Sequence, residues 1–271
     1  MAENCTILIP THSAYMDICE NFISVLRRSW KDCPYPVKIA LCGKQTDSDI
    51  AEKIYCGEST TLTKALVEAV KNDPNEMFLV FLGDAFFFDK VDQKEVEVLL
   101  TQLSENKVQY CSLRPKPTQK KEKLLTELLR QIHSQDRYTH SFICFAATKD
   151  YIIEEFNSPK VDSDMDYELK YLQIVNSEED FYFEDHAILR RDIFHIIPGI
   201  EKGKWDRHVL SKLKKRYPDI EFSKREKLSV ARQLYSDLNG LLLPLIPNGL
   251  RRFLKKIVGR VFGKSIFTTD T

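Results

Sequence analysis

The sequence predicts an α/β fold: a mostly parallel central sheet flanked by helices, with further helices at the C-terminal end. Short β-branched and apolar runs alternate with helix-length amphipathic ones through the first half of the chain, the signature of βα units. A strand-like Cys5-Thr6-Ile7-Leu8-Ile9 ends in Pro10-Thr11-His12, and a second apolar run, Met77-Phe78-Leu79-Val80-Phe81-Leu82, ends in Gly83-Asp84. In an open α/β sheet, ligands bind beyond the carboxyl ends of the strands, so both turns stand where a ligand would sit.

Strands are expected near 5–9, 37–42, 53–56, 77–82 and 108–113, with helices at 15–30, 60–72 and 93–105 between them. Asp92 and Glu95 form a capping-box pattern at the start of the third helix, each able to satisfy an orphan amide. Beyond residue 113 the pattern is less regular. Lys120 to His133 reads as a helix and Ser141 to Ala146 as a strand. Ser163 opens a helix running to Val175, with Asp166 at its capping-box position. Phe181-Tyr182-Phe183 and Asp192 to Ile197 read as strands, and helices at 206–216 and 226–239 close the globular part. The expected division is 1–240 for the sheet domain and 241–271 for an appended segment.

A chain of 271 residues with 43% hydrophobic composition can bury a normal core. Its 40 basic residues balance 40 acidic ones, which gives no overall electrostatic bias toward nucleic acid. Cys5, Cys19, Cys33, Cys42, Cys56, Cys111 and Cys144 contain no C-x-x-C pair and fall largely in apolar runs. They read as small core hydrophobes of a reducing compartment, not as a zinc site. Met1-Ala2-Glu3-Asn4-Cys5 lacks the basic start and long apolar run of a signal peptide. No run approaches the ~20 apolar residues of a membrane span.

The final segment has a distinct character. Leu250, Phe253, Leu254, Ile257, Val258, Val261 and Phe262 repeat at helical spacing, while Arg251, Arg252, Lys255, Lys256, Arg260 and Lys264 occupy most of the remaining positions. This is the pattern of a helix lying in a membrane interface with its cations toward anionic lipid, or else of one docked on the protein's own core or on a second subunit.

A lone carboxylate emerging from a buried strand, as Asp84 does, suits a metal-bound phosphate. Gly199-Ile200-Glu201-Lys202-Gly203-Lys204-Trp205 adds two glycines for close backbone approach, a cation for a diphosphate at Lys204, and a flat face for a sugar at Trp205.

Taken in order, these motifs resemble GT-A-fold (Rossmann-like) glycosyltransferases, in particular bacterial family-2-like enzymes of capsule and lipopolysaccharide synthesis. The hallmark of that family is D-x-D or D-D-x, whereas this chain has Gly83-Asp84-Ala85-Phe86, with a single acid. The resemblance implies that Pro10, Thr11 and His12 pack on the base and ribose of a nucleotide sugar. It places Asp47 and Ser59 beside the same cleft, and gives Asp84 the diphosphate together with Mg²⁺ or Mn²⁺. Within Asp162-Ser163-Asp164-Met165-Asp166-Tyr167-Glu168, it marks Asp166 first and Glu168 second as the base of an inverting transfer. Those two side chains point about 200° apart on a helix and cannot share one role. Asp185, in Glu184-Asp185, is the third candidate.

The implied partners are a nucleotide-sugar donor, a saccharide or polyprenyl-linked acceptor, and an anionic membrane surface, with no nucleic acid. The implied location is cytoplasmic, peripheral on the inner face of the plasma membrane. A catalytically degenerate module that binds a sugar nucleotide or a partner is the alternative. A nucleotidyltransferase is disfavoured, because no Gly-rich, Lys-bearing phosphate loop follows the first strand.

Overall fold

The computed structural model describes residues 4–118, 120–177 and 179–234. In chain order these form β1 (Cys5–His12), α1 (Met16–Ser29), β2 (Val37–Cys42), β3 (Glu52–Gly57), α2 (Leu62–Lys71), β4 (Met77–Phe81), β5 (Ala85–Phe87), α3 (Gln93–Glu105) and β6 (Tyr110–Ser112). There follow β7 (Leu129–His133), β8 (Cys144–Thr148), α4 (Lys149–Asn157), α5 (Asp164–Ser177), β9 (Tyr182–Leu189), β10 (Ile196–Pro198), β11 (Ile200–Glu201), β12 (Lys204–Trp205) and α6 (Arg207–Arg216).

The main sheet has the order β3-β2-β1-β4-β8-β6-β9-β7. β1 to β4 run parallel to one another. β8 is antiparallel to both of its neighbours, while β9 runs parallel to β6 and antiparallel to the edge strand β7. The sheet is therefore mostly parallel and helix-flanked, the fold class expected from the sequence.

Side chains alternate across each strand, so a sheet covered on both faces needs apolar residues at consecutive positions. In β1, Ile7 and Ile9 enter a core shared with α1, α3 and α6, whereas Leu8 enters a second core shared with α2, α4 and α5. In β4, Leu79 and Phe81 join the first core, and Phe78 and Val80 the second. The seven cysteines are free, five of them buried, and burial raises the thiol of Cys19 to about 12.

Three expectations in the second half need correction. Lys120 to His133 is not a helix but a loop followed by β7, antiparallel to β9. Leu129 and Ile132, three apart, suit one helix face, yet in the strand they serve opposite faces, one in each core. All five β7 residues are buried, including Arg130, which pairs with Asp136 at 2.6 Å. Tertiary pairing has overridden local propensity here.

Asp192 to Ile197 is extended only from Ile196, in β10, which pairs antiparallel with β5. Asp192 instead bends the chain, accepting hydrogen bonds from the Phe194 and His195 amides at 3.2 and 2.7 Å. Of the helix expected over 226–239, residues 230–234 are helical and 226–229 are not; Trp205 N–H donates to the Glu226 carbonyl and Leu228 N–H to the Trp205 carbonyl, so this stretch is held as an extended segment. The remainder of that helix and the basic segment 241–271 lie outside the described residues. Among the described residues no helix is long and apolar enough to cross a membrane.

Candidate functional site at the carboxyl ends of β1 and β4

β1 and β4 are parallel neighbours, so the turns that follow them emerge at the same sheet edge. Between those turns lies a cleft of about 290 Å³ whose walls include Pro10, Thr11 and His12 from β1 and Gly83 and Asp84 from the turn after β4. Tyr15 and Ile18, Leu62, Asp164, and the Lys202–Gly203 turn complete it. A larger groove of about 490 Å³ opens at the opposite edge, beside Cys5, Met77 and Thr148. Volume does not decide between them, since ligands of open α/β sheets bind at the carboxyl ends of the strands.

Local geometry fixes each side of the cleft. His12 Nδ1 accepts from the Ala14 amide at 3.1 Å, which caps a single 3-10 turn and holds the ring at the cleft mouth. Ser13 Oγ accepts from the Lys44 amide at 2.9 Å and ties the end of β1 to that of β2. Gly43, at φ +84°, lies between them. An added Cβ there would come within 2.5 Å of Ser13 Oγ and 2.8 Å of His12 Nε2, so only glycine fits.

Asp84 sits in a tight turn in which the Ala85 amide donates to the Leu82 carbonyl at 2.9 Å. The Asp84 carbonyl accepts from the Gly199 amide at 2.8 Å. Burial pushes the Asp84 carboxyl up to about 6, with its own amide as the opposing influence. No side chain among the described residues donates a hydrogen bond to it. Gly199 approaches so closely that a Cβ would lie 2.7 Å from the Phe86 ring and 3.2 Å from Trp205. Gly199→Ala is therefore expected to destabilise the protein by about 1–3 kcal/mol through overpacking. Urea denaturation of the variant checks this, and an unchanged midpoint would contradict it.

Lys202 and Gly203 have φ of +51° and +78°, the reversal that turns the β11–β12 hairpin tip toward the cleft. Lys202 is exposed and makes no ion pair with any described residue, which leaves its ammonium available to an anion. Tyr15 lies under the Arg225 guanidinium, 4.6 Å from ring centroid to cation, and Arg225 is itself held by Asp17.

The other residues singled out in the sequence are placed differently. Asp47 and Ser59 are exposed in the turns after β2 and β3 and do not line the cleft. Asp166 forms the expected capping box: it accepts from Ser163 N–H and Oγ at 2.9 and 2.8 Å, and Ser163 Oγ accepts from the Asp166 amide. These bonds hold its carboxyl below the usual range and direct it to the helix end, and it does not line the cleft.

Glu168 Oε1 accepts from Ser141 Oγ at 2.9 Å and the Phe142 amide at 3.1 Å, and burial raises its pKa. It stands just ahead of β8, one helical turn beyond Asp164 on the same face of α5. Asp185 flanks the opposite end of β6, where its carbonyl accepts from the Gln109 amide, so the structure does not bring it to the cleft.

Trp205 cannot offer a face to a sugar. It is fully buried, its ring centroid 5.3 Å from that of Phe86 in a tilted contact, with Nε1 donating to the Ser223 carbonyl. Lys204 is spent on Glu226 at 2.6 Å. The hairpin reverses two residues earlier than the sequence motif suggests, so Lys202 and Gly203 occupy the positions expected of Lys204 and Trp205. The sequence reading also passed over Asp164, the acid of its own segment that lines the cleft. The signal was there: Ser163 as N-cap leaves the next residue at the helix start, projecting outward, while the residue three on is consumed in capping.

Among the described residues no three His, Cys, Asp or Glu side chains gather as a metal cage. Asp84 supplies carboxylate oxygens alone. That donor set fits a hard cation that takes most of its ligands from phosphate and water.

No protein-family model matches the chain, and no curated protein matches it in sequence. Among solved structures, TarS of S. aureus superposes with a TM-score of 0.46 at 12% identity over 85% of this chain. The chain spans 41% of the length of that TarS chain. A cytidylyltransferase from Leptospira borgpetersenii serovar Hardjo-bovis scores 0.45 at 12% identity, covering 90% of this chain and 97% of that one. UDP-glucose pyrophosphorylase complexed with UDP-glucose scores 0.39 at 8% identity, covering 69% and 90%. Likeness at this level concerns the arrangement of strands and helices and assigns no chemistry.

Proposed function

We propose that this chain is a glycosyltransferase that moves a sugar, with inversion, from a nucleotide-sugar donor to a saccharide or lipid-linked acceptor in surface polysaccharide synthesis. The observation that carries the reading is the convergence of Pro10-Thr11-His12, Asp84, Asp164 and the Lys202–Gly203 turn on one cleft at the strand ends. In this reading the β1 turn seats the base and ribose. Lys202 supplies a positive charge to the diphosphate, which bears the developing charge when the glycosidic bond breaks. Asp84 and the diphosphate would hold Mg²⁺ or Mn²⁺, which neutralises the leaving nucleoside diphosphate when bound. Asp164, exposed on the far wall, takes the proton of the acceptor hydroxyl as it attacks the anomeric carbon. The basic segment 241–271 would keep the protein on an anionic membrane face where a lipid-linked acceptor resides.

A thermal-shift screen of the full chain against nucleoside diphosphates and their sugars, with and without Mn²⁺, tests this directly. At a ligand concentration of 100 Kd, binding to the folded state adds about 2.7 kcal/mol, worth about 5–10 °C for a domain of this size. The expected result is a metal-dependent rise with one nucleotide that is lost in Asp84→Ala. Absence of a shift with every nucleotide would remove the reading. Binding without transfer or donor hydrolysis would reduce the protein to a nucleotide-binding module.

A further inference from the structure

β6 leads into Arg114-Pro115-Lys116-Pro117, and both cations of this segment are half-buried. Neither the Arg114 guanidinium nor the Lys116 ammonium makes a hydrogen bond or ion pair with any described residue. The two are close enough to repel: burial first, and the Arg114 charge second, pull the Lys116 pKa down. Two like charges held partly out of water without a counter-ion are unfavourable, and an anion between them relieves both burial and repulsion.

The acid whose charge reaches both cations does not fill that role. Glu168 acts on both charges, opposing the fall in the Lys116 pKa and feeling Arg114 in turn, but its Oε1 is occupied by Ser141 and the Phe142 amide, and it forms no ion pair with either cation. The segment is also rigid. Proline at 115 and 117 fixes two φ angles and restricts the residue before each. Below it, Arg130, 2% exposed and paired with Asp136, donates to the Lys116 carbonyl at 2.9 Å. The cations are thus presented on a backbone already ordered, which lowers the cost of binding.

Their place in the sheet is informative. The Leu82 amide donates to the Ile143 carbonyl on one side of β8, and the Leu113 amide to the Cys144 carbonyl on the other. The Asp84 turn and the Arg114–Lys116 segment therefore flank the start of β8, two strand spacings or about 10 Å apart.

We propose that Arg114 and Lys116 form a second anion subsite, distinct from the Asp84 cleft, that takes the phosphate or diphosphate group of the second substrate. Assignment of this anion to the second substrate rests on the transferase reading, in which Asp84 and Lys202 serve the donor; the anion subsite itself does not. A lipid-borne diphosphate and a soluble sugar phosphate share this chemistry.

Titration calorimetry of the full chain with inorganic pyrophosphate in EDTA tests the subsite. Wild type and Asp84→Asn are expected to bind alike, and Arg114→Gln/Lys116→Gln to bind at least about tenfold more weakly, as loss of charge-assisted hydrogen bonds implies. A nucleoside diphosphate that fills the Asp84 cleft is expected to leave pyrophosphate affinity unchanged. Geranylgeranyl diphosphate in detergent micelles and glucose 1-phosphate in buffer separate the two sources: the ligand whose advantage disappears in the double variant identifies the source.

Three results would overturn the proposal: no pyrophosphate binding, binding unchanged in the double variant, or displacement of pyrophosphate by the nucleotide. Lys116→Met guards against a folding artefact. Removing an unpaired half-buried charge is expected to hold or raise the anion-free melting temperature, and a fall would show the lysine to be structural. If pyrophosphate binds while no nucleotide does, the transferase reading fails and the subsite stands.

Discussion

Asp164→Asn is expected to slow glycosyl transfer by about 10²–10⁴-fold, the usual cost of losing a general base, while leaving the nucleotide-induced rise in melting temperature intact. Both halves of the expectation follow from the position of Asp164 on the rim of the cleft, across from the Asp84 turn that would hold the donor. The contrast with Asp166→Asn is the informative comparison. Asp166 completes a capping box with Ser163 and projects along the helix end. Its replacement is expected to cost about 1 kcal/mol of stability and to leave the transfer rate unchanged. Steady-state kinetics and urea denaturation of the two variants separate the roles. A full loss of rate in Asp166→Asn with normal activity in Asp164→Asn would reverse the assignment.

Acidification from pH 7 to pH 4 is expected to remove about 3 kcal/mol of stability through His186 alone, one member of a buried histidine pair. His140 Nε2 and His186 Nδ1 lie 2.8 Å apart, so one nitrogen donates and the other accepts. A second proton would set N–H against N–H. His140 is stacked on Tyr171 at 3.5 Å and lies 4.8 Å from Tyr110, buried where a charge is poorly solvated. Burial, then the charges of His186 and Lys170, hold the His140 pKa well below the ordinary imidazole value. Burial brings His186 down to about 4 against the opposing pull of Asp185.

At His186 the unfolded chain binds a proton near pH 6.5 and the folded protein only near pH 4, and His140 is held down in the same direction. Stability is therefore fully present above pH 6.5 and falls as the pH drops from 6.5 toward 4. Urea midpoints across this range check the expectation. The slope should flatten in His140→Phe, which removes the hydrogen-bonded partner while keeping a ring against Tyr171. A flat profile in wild type would show that the pair is not the acid-sensitive element.

The legibility of this chain in its sequence follows from which forces are local. β1, β4 and the helices α1, α2 and α3 are evident because their apolar periodicity, turn residues and caps are read within a few positions of the chain. The convergence of Pro10-Thr11-His12 with Asp84 was legible for the same reason: parallel neighbours place their ends together. β7 was not, because Leu129 and Ile132 are distributed between two cores only after α4, α5 and β9 have formed the second face. Trp205 misled for a related reason. A tryptophan next to two glycines suggests an exposed sugar platform, and only the packing of Phe86 and Phe222 around it reveals a core residue. Asp164 and Lys202 each stand within two residues of an expected site position, an error of helix phase and of hairpin length.

The hydrogen bond between Asp84 and Gly199 joins what would otherwise be independent walls. Gly199 is pinned at its amide by Asp84 and at its α-carbon by Phe86 and Trp205, and its carbonyl in turn accepts from the Asp206 amide that leads into α6. The acidic wall, the hairpin carrying Lys202 and the first turn of α6 thus belong to one cooperative unit of opening and closing. A ligand that grips the hairpin tip therefore slows the breathing of the sheet beneath Asp84, and fraying of α6 loosens the cleft from behind.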